Sequence, residues 1–244
     1  TEDTTISDIA VATTATQMDL GAVTLTAATT LDSGGGNIAI ASLAGGAQNL
    51  TLAAGIAAGT TTVTGNVSNL GTGTGAALTV NNAVTGLVDS QGTVGANSGL
   101  DAGAATSLKF AGNVTLADGN TGTSLAGSVS LDGLTFSGFD GLSFGPLTLS
   151  GAAAVIDSNG SNVDFTGAIN AGNAATEDIS LEVQAGAGAV TFAGAVGDTQ
   201  ALADLGIPAF ACTPDAFPEL IGLAITRGDI GSWAQREADA AARD

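Results

Sequence analysis

Histidine and tyrosine are absent from this sequence, and only four of its 244 residues are Lys or Arg. Without histidine there is no side chain that ordinarily titrates near neutrality, and the usual general base and metal ligand are missing. The shortage of cations is as restrictive. Against 23 Asp and Glu the formal net charge is −19. A phosphate backbone or an anionic membrane surface would meet no neutralising charge, so nucleic acid is not expected as a partner. Residues 1–200 carry 16 acids and one base, Lys109, and residues 201–244 carry seven acids and three bases. The single cysteine, Cys212, can form neither an internal disulfide nor a thiolate cluster, which leaves the redox compartment open. In its apolar surroundings Cys212 reads as a small core residue.

Long apolar runs are missing too. Ser33–Val88 holds no charged residue but is rich in Gly, Thr and Asn, whereas a membrane helix needs about 20 predominantly apolar residues. A membrane β-barrel expects girdles of Trp and Tyr; the only Trp is Trp233. The chain is therefore expected not to span a membrane. Thr1–Leu20 has three acids, no base and no apolar core, so no signal peptide is read there and the chain looks mature or excised.

What remains is glycine, 37 residues or about twice the usual ~7 %, in a chain that is 44 % apolar and 11 % charged. Such a composition is not that of a disordered chain. Short alternating runs recur: Ala22–Thr26, Ile38–Ile40, Asn49–Leu52, Thr61–Thr64, Ala77–Val80, Ser107–Phe110, Asn113–Leu116, Ser128–Leu131, Leu147–Leu149 and Ile179–Val183. Each is three to five residues of β-branched or apolar character bounded by Gly, Asn or Asp, which reads as strand and turn. Helical periodicity is absent from this region.

Val190-Thr191-Phe192-Ala193-Gly194-Ala195-Val196 has looser copies at Val163–Ile169, Leu108–Val114 and Leu134–Phe139, with echoes at Val63–Val67 and Val84–Val88. The marker glycines 65, 86, 112, 138, 167 and 194 are 21 to 29 residues apart. That period predicts a solenoid, with glycine supplying positive φ at the corners and seven or eight coils making a rod of about 35–40 Å. The expected fold is all-β, a right-handed parallel β-helix over residues 1–200 with its clearest repeats from about 20, followed by a small αβ tail at 201–244.

Residues 178–196 resemble the β-strand repeats of large bacterial surface adhesins, of the filamentous-haemagglutinin and autotransporter-passenger kinds. The likeness covers roughly residues 20–200. It implies a rigid stalk at the bacterial cell surface or in the secreted matrix, with a host or matrix surface protein or glycan as partner.

The texture changes near Gln200. Gly206–Cys212 reads as a short strand. Thr213 with Pro214 reads as a helix start, Ala216–Thr226 as a helix ended by Gly228, and Asp229 as the cap of a second helix. Leu205–Asp215 followed by Phe217–Leu220 resembles the C-terminal end of bacterial von Willebrand factor A domains. That family holds a divalent cation on an Asp-x-Ser-x-Ser motif that this sequence lacks, so no metal site is carried over. As a cap, the tail would cover the open edges of a β-helix.

Candidate sites are sparse. Asp157, Asn159, Asn162 and Asp164 gather oxygen ligands within eight residues, as calcium would require, but without EF-hand or nonapeptide spacing; turn chemistry explains them better. Arg227-Gly228-Asp229 is an integrin-type tripeptide that also fits a helix stop followed by a cap. Asp132 with Asp140, or Glu177 with Asp178, could form the carboxylate pair of a glycosidase, yet nothing selects either pair. Lys109 alone is thin support for a lyase. Thr60-Thr61-Thr62 suggests an ice-binding face without the repeat such a face needs. The expectation is a non-catalytic structural or adhesive segment without a cofactor. The alternatives are a β-helical carbohydrate-active enzyme, a hydrolase or lyase, and an ice-binding solenoid.

Overall fold

A computed structural model describes residues 4–7, 10–13, 16–53, 59–81, 86–118, 121–172, 179–197 and 204–206. The apolar–polar–apolar triplets form strands as expected. Inward and outward side chains alternate along Leu50–Leu52, Val114–Leu116 and Val163–Phe165, with the outer two residues buried and the middle one turned away from the core. A strand of three residues can bury only two side chains on one face, so the core is assembled from many strands.

Among the described residues there are 27 strands and no helix. They form three sheets of ten, nine and eight strands, and within each sheet the hydrogen-bonded neighbours are three strands apart in sequence. The chain visits face one, then face two, then face three, and begins again. Face one starts with Thr4–Ile6, Ala22–Leu25 and Ser42–Gln48; face two with Ala10–Ala12, Thr29–Asp32 and Leu50–Leu52; face three with Met18–Asp19, Ile38–Ile40 and Thr61–Val63. The pairing is parallel throughout, as in Thr4 opposite Val23, Val23 opposite Leu43 and Val114 opposite Phe136. This is a parallel β-solenoid with eight complete triplets of strands.

The repeat is less regular than the marker glycines suggested. Register partners one coil apart are 19 residues apart for Thr4 and Val23, 20 for Val94 and Val114, and 27 for Val67 and Val94. Of the sequence copies, only Val163–Ile169 and Val190–Val196 stack on each other, with Val163 opposite Val190, Phe165 opposite Phe192 and Ile169 bridged to Val196. Leu108–Phe110 lies on face three and Thr135–Ser137 on face one. All three faces use the same local code, so similar heptads arise on different sides of the rod.

The marker glycines therefore occupy three different corners, and positive φ is not their reason, since none of the six adopts it. The reason is close approach of backbone. A Cβ on Gly92 would stand 2.4 Å from the carbonyl carbon and oxygen of Gly65, and one on Gly194 would stand 2.4 Å from those of Gly167. Stacked coils leave no room for a side chain there.

The interior is divided. Toward the C-terminal end, Phe144, Phe165 and Phe192 stack in register with centroids 5.8 and 5.0 Å apart and interplanar angles of 19° and 11°. Phe136 meets Phe110 and Phe144 edge-on at 5.7 and 5.2 Å. Such geometries contribute about 0.5–1.5 kcal/mol per pair beyond area burial. The earlier coils are aliphatic and less completely filled. A cavity of about 40 Å³ lies among Leu50, Val63, Val67, Leu78 and Val88. Thr61 and Ser90 line it as well, and their hydroxyls are buried without a hydrogen-bond partner.

The ladder continues past residue 200, where Asp204–Gly206 pairs with Ser180–Glu182 on face one. The chain divides into two compact units, Thr1–Ala211 and Cys212–Asp244. The strand expected over Gly206–Cys212, apart from Gly206, and both expected tail helices lie outside the described residues.

Two substitutions test this packing. Thr61→Val keeps the shape and removes an orphaned hydroxyl; it should stabilise the rod by about 1 kcal/mol and raise Tm by about 2–4 °C. Gly92→Ala drives a methyl into a neighbouring backbone and should cost about 3 kcal/mol. Thermal melts followed by circular dichroism measure both, and a Tm lowered by Thr61→Val or left unchanged by Gly92→Ala would contradict the packing described.

Candidate functional site

The surface follows from strand alternation. When strands stack in register, each outward position becomes a column running along the rod. Face two presents Thr30, Thr51, Thr79, Asp101, Ser124, Ser143, Asp164 and Thr191 in successive coils. Face three presents Asp19, Ala39, Thr62, Asp89, Lys109, Ser130, Thr148 and Asn170. On face one, Thr5, Thr24, Ala44 and Ser68 form one column, taken up again by Thr115, Ser137, Asp157 and Gln184. The first seven strands of face one, Thr4–Ile6 to Thr135–Ser137, contain no charged residue.

Asparagines at the corners tie one coil to the next. The Oδ1 atoms of Asn37, Asn49, Asn66, Asn113 and Asn162 accept the backbone N–H of Thr60, Thr72, Thr93, Thr135 and Ala189, at 2.8 to 3.0 Å. Each acceptor satisfies an N–H at a bend, where the strand ladder is interrupted. Sequence inspection noted asparagine near turns but missed this use. The available signal was the recurring Asn–apolar–hydroxyl triplet, as in Asn66-Val67-Ser68 and Asn113-Val114-Thr115.

The four calcium candidates take part in the same chemistry. Asp157 ends a face-one strand, and its Oδ1 accepts the N–H of Asn159 at 2.9 Å. Asn159 sits in the corner with φ of 50°, and its Nδ2 donates to Ser137 Oγ at 3.1 Å and to the Gly138 carbonyl at 3.0 Å. Asn162 caps Ala189. Asp164 lies on face two between Ser143 and Thr191. The four are thus spread over two strands and a corner, and three of them are committed to turn or inter-coil hydrogen bonds. Among the described residues no group of three or more His, Cys, Asp or Glu is placed to hold a metal.

Asp132 ends a face-three strand, whereas Asp140 follows the next face-one strand, so they stand at different corners. Glu177, Asp178, Cys212 and Arg227-Gly228-Asp229 lie outside the described residues. Thr60-Thr61-Thr62 does not act as a unit: Thr61 points into the core, and Thr62 stacks between Ala39 and Asp89. The threonines that do align are Thr30, Thr51 and Thr79.

Lys109 lies one coil above Asp89, with Nζ 4.0 Å from Oδ1, too long for a hydrogen bond. Asp89 Oδ2 accepts from Gln91 Nε2 at 3.0 Å, while Oδ1 is buried without a hydrogen-bond partner. With the lysine side chain 41 % exposed, the pair contributes well under about 1 kcal/mol.

No described helix is long and apolar enough to cross a membrane. No protein-family model matches the chain, and no curated protein or solved structure matches it.

If these side chains serve the turn, Asn162→Ala should destabilise the rod by about 1 kcal/mol by stranding the Ala189 N–H. Millimolar calcium should leave the Tm of the wild-type chain unchanged. A calcium-dependent rise in Tm that Asp157→Asn abolishes would instead make the corner a cation site.

Proposed function

We propose that this chain is a non-catalytic structural and adhesive segment of a bacterial cell-surface or secreted repeat protein. The observation that carries the reading is the uninterrupted coil-on-coil ladder with polar columns on all three outer faces. A β-solenoid of this kind is stiff along its axis, because bending it would break hydrogen bonds between successive coils. Its side chains project as repeated hydroxyls, amides and carboxylates, a surface suited to many weak contacts in parallel. The partner class is a host or matrix surface protein or glycan, in keeping with the adhesin repeats that residues 178–196 resemble.

A carbohydrate-active enzyme would need two carboxylates on one cleft, and the separation of Asp132 and Asp140 on different corners speaks for the non-catalytic reading. The ice-binding alternative has one observation in its favour, the column Thr30–Thr51–Thr79. It is one residue wide and gives way to Asp101 in the next coil, which favours the stalk over an ice lattice.

Beads coated with the chain should be retained under flow on immobilised matrix glycans or proteins, and an excess of soluble chain should release them. No reducing or unsaturated sugar ends should appear during the incubation. Turnover of a polysaccharide, or thermal hysteresis in ice, would replace the stalk reading with the corresponding alternative.

A further inference from the structure

The acids of this rod are not shared equally among its faces. Face two carries Asp101 and Asp164 on its outward column, and face three carries Asp19, Asp89 and Lys109. Face one is uncharged through its first seven strands, after which Asp157 and Glu182 appear. In a chain of net charge −19, that face is where a neutral ligand can approach without desolvating carboxylates. A cationic partner would instead favour the acidic columns, and an anionic one would be repelled by the whole body.

A second observation concerns the donors on this face. Asn66 and Asn113 are exposed at its entry corner. Their Oδ1 atoms are held by the N–H of Thr93 and Thr135, both at 3.0 Å. This fixes the amide groups while their Nδ2 donors engage no other described group. The two asparagines are two coils apart, about 9.6 Å along the rod. Beside them stand the exposed hydroxyls of Ser68, Thr93 and Thr115. The result is a strip of preorganised donors and acceptors without charge and without a large apolar side chain.

We infer that this strip of face one binds an extended, neutral polysaccharide chain lying along the rod axis, with the Asn66 and Asn113 amides as fixed donors to sugar hydroxyls. The inference rests on the adhesive reading above and names its ligand class. A second copy of the chain is the weaker occupant. Six inter-coil steps of about 4.8 Å, with a width of about 10 Å, offer a few hundred Å², below the ~800 Å² per partner of a stable protein interface. A polymer needs no such area, because successive sugars add contacts rung by rung.

The test uses the full chain and neutral oligosaccharides of two to eight sugars, β-1,4-glucan, β-1,3-glucan and chitin, in titration calorimetry at low and high salt. Affinity should rise at least about tenfold from the shortest to the longest oligomer of the binding series and should not change with salt, since no charge is involved. Asn66→Asp and Asn113→Asp keep an oxygen for the Thr93 and Thr135 N–H groups but replace the outward donor with a carboxylate oxygen. Each should leave Tm unchanged and weaken binding about tenfold. Ser124→Asp on face two should leave binding unchanged. Should the Asn variants misfold, Ser68→Glu and Thr115→Glu make the same test.

Absence of binding across all three series would overturn the inference, as would binding that survives every face-one variant or collapses with salt. Adhesion carried by another face would overturn this assignment while leaving the adhesive reading standing. Cleavage of the oligosaccharides would overturn both.

Discussion

Hydrogen bonding from each strand to the strand one coil away, and not to its neighbour in sequence, sets the terms for everything else in the chain. Backbones stack at about 4.8 Å, so whatever occupies a position is pressed against its counterpart above and below. Where two corners coincide, as at Gly65 and Gly92 or Gly167 and Gly194, no Cβ fits between them. Where a corner breaks the ladder, an asparagine oxygen takes over the stranded N–H, as Asn66 does for Thr93. The scarcity of charge follows as well. A chain whose backbone is satisfied by its own coils has little need of surface ion pairs, and the one observed, Lys109 with Asp89, is long.

Stacking also sorts the interior. Phenylalanines that recur at one register position form the stack Phe144–Phe165–Phe192, while earlier coils put Leu, Ile and Val at the inward positions and leave room at Thr61 and Ser90. In a solenoid each coil contacts only its neighbours, so stability is close to a sum of local terms. The aromatic end is accordingly the better packed part of the rod, and the coils around Thr61 and Ser90 are where it should open first.

The fold was legible because the strand code is local. Ile38–Ile40 or Val114–Leu116 announces a half-buried strand wherever it occurs, and spacing then points to coils. Phase was not legible. Leu108–Phe110 and Val190–Phe192 look alike and lie on different faces, because nothing in a heptad says which side of the rod it is on. The glycines were recognised for the wrong reason: Gly92 is required by a backbone two dozen residues away, a long-range contact that local sequence does not express. The same limit applies to sites. Asp157–Asp164 looked like a ligand cluster because four oxygen-bearing residues are close in sequence; pairing shows three of them tied to turns and neighbouring coils. The uncharged strip of face one was invisible, since Ser68, Thr93 and Asn113 become neighbours only once the register is known.

Function, on this account, is a property of columns and not of a catalytic cluster, and the columns exist only if the register is as described. Distance measurement between spin labels tests that directly. Thr24 and Ser137 both point outward on face one, 113 residues apart in sequence and linked through Ala44, Ser68, Gly95 and Thr115. With Cys212→Ser as background, labels at Thr24→Cys and Ser137→Cys should give one narrow distribution centred near five steps of stacking, about 24 Å, broadened by the label linkers. A broad distribution, or a maximum beyond about 40 Å, would contradict the in-register solenoid and the faces derived from it.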